Sequence, residues 1–128
     1  MLKHTWKKSV STDLGGSLFS GSVDYEAGEE LNFSVEVQAG DTLEIDLAVD
    51  VSQIKSFAIY SDKEVTLKTN DLSAPAQTLT LKAKVALGWN TDDPAANPLT
   101  VDITKFFLTN AGLADAKVKG SFLVDVDV

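Results

Sequence analysis

The sequence predicts an all-β protein, an antiparallel, jelly-roll-like β-sandwich of about eight or nine strands. Apolar and polar residues alternate in most segments of the chain, which is typical of strands with one buried face. Turn-forming residues interrupt the alternation at intervals of roughly eight to twelve residues, as they do in sandwiches and barrels. The length of 128 residues suits one domain of this kind.

Alternation delimits four strands in the first half of the chain. The first lies within Thr5–Thr12 and the second spans Phe19–Tyr25. Leu31–Val37 and Leu43–Val49 follow on either side of a Gly-Asp turn. This turn predicts that the third and fourth strands form an antiparallel hairpin.

The second half contains further alternating segments: Ile54–Tyr60, Val65–Thr69, Leu79–Trp89, Val101–Thr109 and Lys117–Val128. The apolar parity of Val101–Thr109 changes at Lys105 and Phe106, which predicts a bulge or a switch of sheet. The last segment runs to the end of the chain. It is either an ordinary strand of the domain or one that pairs with the edge of a neighbouring subunit.

Charge divides the chain into two parts. The formal net charge is −8, all 11 basic residues are lysine, and no base lies between Ser9 and Ile54. A nucleic-acid-binding protein needs a basic face, so we expect no nucleic-acid partner. The acidic block Asp13–Asp50 predicts a solvent-facing surface. We expect an N-terminal arm or edge strand over 1–12 and a single sandwich domain over 13–128.

The chain offers few parts for catalysis. It has no cysteine, which excludes disulfides and thiolate chemistry. His4 is the sole histidine, and its position near the terminus predicts an exposed tail residue with no neighbour to orient it. A Ser-His-Asp triad is therefore disfavoured, and we expect no enzyme and no cofactor. No apolar run approaches the roughly 20 residues that span a membrane, so no membrane partner is expected.

One loop contains candidate calcium ligands. Asn90, Asp92, Asp93 and Asn97 lie close together, and carboxylate and amide oxygens are the ligands that calcium prefers. The competing interpretation is that these side chains start turns and keep the surface polar.

Aromatic residues are candidate platforms for a sugar. They are Trp6, Tyr25, Tyr60 and Trp89. The indole of Trp89 continues the apolar parity of its strand, which places it at the edge of the core.

A protein-binding surface is predicted on the N-terminal arm. Lys3, Lys7 and Lys8 surround Trp6, so the arm combines charges that steer association with an apolar anchor. Trp89, beside the long loop over 90–98, is a further candidate contact.

Several stretches of the second half resemble proteins of one kind: 54–62, 65–70, 87–89 and 101–110, reading IKSFAIYSD, VTLKTN, LGW and VDITKFFLTN. They are similar to small β-rich structural proteins of tailed-bacteriophage virions, of the head decoration or cement type. The resemblance implies a non-enzymatic subunit that binds the assembled major capsid protein or other virion proteins and stabilises the shell.

The same resemblance implies a homo-oligomer, with a trimer favoured, that is made in the host cytoplasm and located on the capsid surface. A phage tail or neck protein is one alternative. The alternative from another class is a surface-displayed sandwich module that binds carbohydrate or calcium.

Overall fold

The computed structural model describes residues 2–12, 16–27 and 29–125. These residues contain one short 3-10 helix, Val51–Gln53, and ten strands. The strands are β1 (Leu2–Thr12), β2 (Gly16–Ala27), β3 (Glu29–Val37), β4 (Thr42–Val49), β5 (Ile54–Ser61), β6 (Val65–Thr69), β7 (Thr78–Leu81), β8 (Leu87–Asn90), β9 (Ile103–Thr109) and β10 (Ala116–Val124).

Eight of these strands form a sandwich of two antiparallel sheets. Sheet I has the strand order β3-β10-β5-β8, and sheet II has the order β4-β9-β6-β7. Most consecutive strands therefore lie in opposite sheets, which is the arrangement of a jelly roll. The predicted fold class, an all-β sandwich, is confirmed.

The predicted hairpin of Leu31–Val37 with Leu43–Val49 is wrong. β3 pairs with β10 in sheet I, whereas β4 pairs with β9 in sheet II. The turn itself is present, since the Asp41 amide donates to the Gln38 carbonyl at 3.0 Å and Gly40 has a φ of 80°. Alternation identifies the buried face of a strand but not its neighbour, so a short turn is compatible with a crossing between sheets.

Asn110 holds this crossing in place. Its backbone amide donates to the Asp41 carbonyl at 2.9 Å, and its carbonyl accepts from Gly40 at 2.7 Å. Its buried side-chain amide donates to the carbonyls of Val37 at 3.0 Å and Ala114 at 2.8 Å. The side-chain amide of Asn110 thus supplies hydrogen-bond donors to backbone carbonyls at the crossing, where a hairpin would supply backbone amides.

The long predicted strand Leu79–Trp89 is also wrong, because it is two strands. β7 ends at Leu81 and β8 begins at Leu87, and the two lie in different sheets. Between them the Lys84 amide donates to the Ser61 carbonyl at 2.8 Å, with a φ of 63° at Lys84. This left-handed residue redirects the chain from sheet II to sheet I.

The predicted irregularity near Lys105 is confirmed as a bulge. Lys105 pairs with Asp46 and Ile103 pairs with Val49, so β4 has one more residue than β9 between these pairs. The bulge lets both Ile103 and Phe106 face the core although their spacing has the wrong parity for a regular strand.

The last strand lies inside sheet I. β10 pairs with β3 over its whole length and with β5 from Val118 to Val124. Both of its edges are therefore paired within the domain. For Ala116–Val124, the interpretation as an ordinary strand of the domain is confirmed. The remainder of the predicted strand, residues 126–128, lies outside the described residues.

Three phenylalanines form the centre of the core between the sheets. The ring of Phe122 stacks on Phe57 with a centroid separation of 5.4 Å and on Phe106 at 5.7 Å. All three side chains are fully buried, and they come from β10, β5 and β9. Phe122 therefore connects the two sheets.

We expect Phe122→Ala to lower the free energy of unfolding by about 3–5 kcal/mol, because it removes buried apolar contacts and leaves a cavity. Urea denaturation followed by circular dichroism measures this change. Leu113→Ala is the control, since Leu113 is fully exposed and its truncation should change stability by less than about 0.5 kcal/mol. Equal effects of the two variants would contradict the assignment of the core.

Candidate functional site

The first two strands form a hairpin of their own. β1 and β2 pair from Leu2–Ala27 to Thr12–Gly16, with a register shift after Val10, and form a separate two-stranded sheet. We call this pair the N-terminal hairpin. It lies on the outer face of sheet I, and three of its side chains, His4, Trp6 and Tyr25, contact that face.

The surface beneath the hairpin consists of two rows of residues that cross the four strands of sheet I. In the order β3, β10, β5, β8, the rows are Glu30, Leu123, Ser56, Asn90 and Asn32, Ser121, Ala58, Gly88. Where these rows cross β5 and β8, three of the four residues are serine, alanine or glycine, and these small residues leave room for the larger rings of the hairpin.

His4 is held between two serines of sheet I. Its Nδ1 lies 2.9 Å from Ser56 Oγ, and its Nε2 lies 2.7 Å from Ser121 Oγ. Only 14% of its side chain is exposed, and Glu30 Oε2 is 3.7 Å from Nε2. The expectation of an exposed tail residue is therefore wrong, because β1 is paired with β2 and the sheet supplies hydrogen-bond partners for the ring.

Trp6 fills the space above β8. Its indole Nε1 donates to Ser56 Oγ at 2.6 Å, and its ring packs with Tyr25 and Leu123. A Cβ atom on Gly88 would lie 2.7 Å from Trp6 Cη2 and 2.9 Å from the Phe57 carbonyl oxygen. Any side chain at position 88 would therefore displace the indole or the neighbouring strand.

The hydrogen bonds form a chain with a definite direction. Trp6 Nε1 is only a donor, so Ser56 Oγ accepts from it. The Ser56 hydroxyl proton is then available to donate to His4 Nδ1, and His4 Nε2 donates to Ser121 Oγ. A neutral imidazole satisfies every partner in this chain. Burial lowers the pKa of His4 below its ordinary value, and the Glu30 carboxylate opposes this effect in part.

Tyr25 attaches the hairpin to the end of β8. Its hydroxyl lies 3.0 Å from both Asn90 Oδ1 and Asp92 Oδ2, which share its proton, and the residue is 7% exposed. Burial raises the pKa of Tyr25, and the hydrogen bond to Asp92 and the Asp92 charge raise it further. The hydroxyl therefore remains a donor at neutral pH.

The side chains of His4, Ser121 and Glu30 do not form a catalytic triad. In a triad the carboxylate orients the imidazole from the nitrogen opposite the serine. Here Glu30 and Ser121 approach the same nitrogen, Nε2, and Ser56 occupies Nδ1. The arrangement positions the hairpin and leaves His4 without the geometry of a general base for Ser121.

Three of the four candidate calcium ligands accept hydrogen bonds from backbone amides of their own loop, and the fourth accepts one from the hairpin. Asn90 Oδ1 accepts from the Asp92 amide at 3.0 Å, Asp93 Oδ1 from Ala95 at 3.0 Å, and Asn97 Oδ1 from Leu99 at 2.9 Å. Asp92 accepts from Tyr25. These contacts favour the turn-forming interpretation. Within 2–12, 16–27 and 29–125, no three His, Asp or Glu side chains are grouped so that they could hold a metal ion.

The predicted partner-binding residues lie on two faces. Lys3 is exposed on β1, Lys7 and Lys8 continue the same strand, and Trp6 packs on the chain's own sheet. The indole of Trp89 is on the opposite face of sheet I, where it packs at the margin of the core and donates to the Ala95 carbonyl at 2.9 Å. The predicted position of Trp89 at the core edge is thus confirmed.

Comparison of the chain with protein-family models, with curated proteins and with solved structures found no match. In the part of the chain that the structure describes, no helix is long and apolar enough to cross a membrane.

We expect Ser56→Ala to destabilise the protein by about 1–3 kcal/mol, because it leaves both Trp6 Nε1 and His4 Nδ1 without their shared partner. Thermal or urea unfolding measures the loss. Ser34→Ala is a matched control on an exposed position of β3 and should be nearly silent. A Ser56→Ala protein as stable as the control would refute the hydrogen-bond chain.

Tyr25→Phe tests the second attachment point. We expect a loss of about 1 kcal/mol, because the ring is kept while the hydrogen bonds to Asn90 and Asp92 are removed. Tyr60→Phe makes the same chemical change at a side chain that is 41% exposed. The interpretation fails if the two variants have the same unfolding midpoint.

Proposed function

We propose that the protein is a non-enzymatic structural component of a virion, a decoration subunit that binds assembled capsid subunits and stabilises the shell. The observation that carries the proposal is the N-terminal hairpin, a lysine-bearing strand pair added to an otherwise complete jelly-roll sandwich. In the described part of the chain this hairpin pairs with no strand of the sandwich, so its outer edges are suited to attachment to another chain.

The acidic side of the sandwich supports an outward orientation. β3 and β4 are the edge strands of sheets I and II, and the turn over 38–41 joins them on one side. Glu36, Glu44 and Asp46 are exposed there. Lys105 partly offsets this charge, with its Nζ 2.7 Å from Glu44 Oε1. We propose that this side faces solvent, while the hairpin, on which Lys3 is exposed, faces the shell.

Shell attachment is testable by cosedimentation of the purified protein with capsids assembled from the major capsid protein of the same genome. We expect saturable binding that salt weakens, because lysines steer the contact. Lys7→Glu with Lys8→Glu should reduce binding strongly. Lys63→Glu with Lys82→Glu reverses the same number of charges at exposed positions of the sandwich and should bind normally.

Two outcomes would overturn the proposal. One is a native protein that does not sediment with capsids at any salt concentration, and the other is equal loss of binding by both pairs of substitutions. Light scattering with calcium and with chelator complements the test. A trimer indifferent to calcium agrees with the proposal, whereas a monomer that gains thermal stability from calcium would favour the ligand-binding alternative.

A further inference from the structure

The hairpin is held on sheet I by side chains. The described residues show no backbone ladder between β1 or β2 and any strand of the sandwich. Hydrogen bonds from the side chains of His4, Trp6 and Tyr25 join it to sheet I and to the loop after β8. His4 is the central one, since it reaches β5 and β10 through its two ring nitrogens and approaches Glu30 on β3. A change in the charge of one ring thus acts on three strands of the sheet.

Protonation conflicts with the hydrogen bonds that surround His4. An imidazolium donates from both nitrogens. Ser56 Oγ would then have to accept from His4 Nδ1 and from Trp6 Nε1 together, and its own proton would lose its acceptor. In addition, a cation in a position that is only 14% exposed loses most of its hydration. Both effects oppose proton uptake in the docked state.

The charged groups around His4 offset this cost only in part. Glu30 is the nearest, and its other oxygen already accepts from Asn32 Nδ2 at 2.6 Å. The elements packed against His4 also contribute further titratable groups at nearby positions: Lys119 on β10, Lys55 on β5, Tyr25 and Glu26 on β2, and Lys3 on β1. The lysines oppose a second positive charge, whereas the Glu30 carboxylate favours it.

We propose that the N-terminal hairpin is a pH-operated strap, in which protonation of His4 releases β1 and β2 from sheet I and uncovers the face that contains Ser56 and Leu123. This inference is independent of the proposed virion role. Burial lowers the pKa of His4 below 6.5, so acid weakens docking and does not strengthen it. The free energy with which neutral His4 stabilises docking is fully present above pH 6.5 and decreases as the pH falls from 6.5 toward the lowered pKa. Each unit of lowering weakens docking about tenfold in acid.

The test uses Trp6 as a reporter. Trp89→Phe leaves Trp6 as the sole tryptophan, so its emission and its quenching by acrylamide follow the docked indole. Between about pH 8 and pH 5, we expect the emission to move to longer wavelength and the quenching to rise, with reversal on return to pH 8. The matched protein Trp6→Phe keeps only Trp89, on the core side of sheet I, and its emission should stay constant.

Two variants assign the transition to His4. Trp89→Phe with His4→Gln should show no transition, since glutamine does not titrate. Trp89→Phe with Glu30→Gln should release the hairpin at higher pH, because it removes the compensating charge while its Oε1 still accepts from Asn32. If His4→Gln already exposes Trp6 at neutral pH, the test is the pH midpoint of hairpin release in the Glu30→Gln variant.

Four results would overturn the proposal. They are a Trp6 emission that does not change with pH, a transition that survives His4→Gln, a Trp89 emission that changes together with that of Trp6, and a Glu30→Gln midpoint that does not move upward. The third would show that acid unfolds the whole sandwich rather than releasing the hairpin.

Discussion

Burial of sheet I on both faces is the constraint from which the rest of the structure follows. β10 lies at its centre and directs Phe122 toward sheet II and Leu123 toward the hairpin, and neither side chain is exposed. A sandwich of two sheets covers only the inner faces of those sheets. The N-terminal hairpin therefore completes the protein as a third layer, and without it Leu123 and Ser56 would face water.

The hairpin and the sandwich depend on each other. An isolated pair of strands is marginal in water, so the hairpin needs the sheet beneath it. The sheet in turn presents the buried hydroxyl of Ser56, which is hydrogen-bonded to His4 and Trp6 of the hairpin. Because hydrogen bonds are directional, the hairpin can rest on sheet I in one defined position. The absence of a side chain at Gly88 provides the space for the indole of Trp6. Because one of these groups is an imidazole, the stability of the interface can depend on pH.

The sequence allowed the sandwich to be predicted but not the pairing of its strands or the site. Alternation specified the faces of β3 and β4 correctly, but their partners, β10 and β9, lie far along the chain and leave no local signal. The site joins His4 to Ser121, 117 residues away, so no spacing rule predicts it. One signal was present: the uninterrupted run from Phe122 to Val124 indicates a strand buried on both faces. Leu123 interrupts an otherwise polar face, and that exception marks where the hairpin rests.

The edges of the sandwich differ from those of the hairpin in length and in charge. The two long edge strands, β3 with 9 residues and β4 with 8, carry exposed acids such as Glu36 and Glu44, which discourage pairing with another sheet. On the opposite side the edge strands β7 and β8 have only four residues each and offer little to pair with. Among the described strands, β1 and β2 are each paired on one side alone, and with 11 and 12 residues they are the longest edges. In the function proposed above, the hairpin is therefore the element that offers the longest edges to a partner.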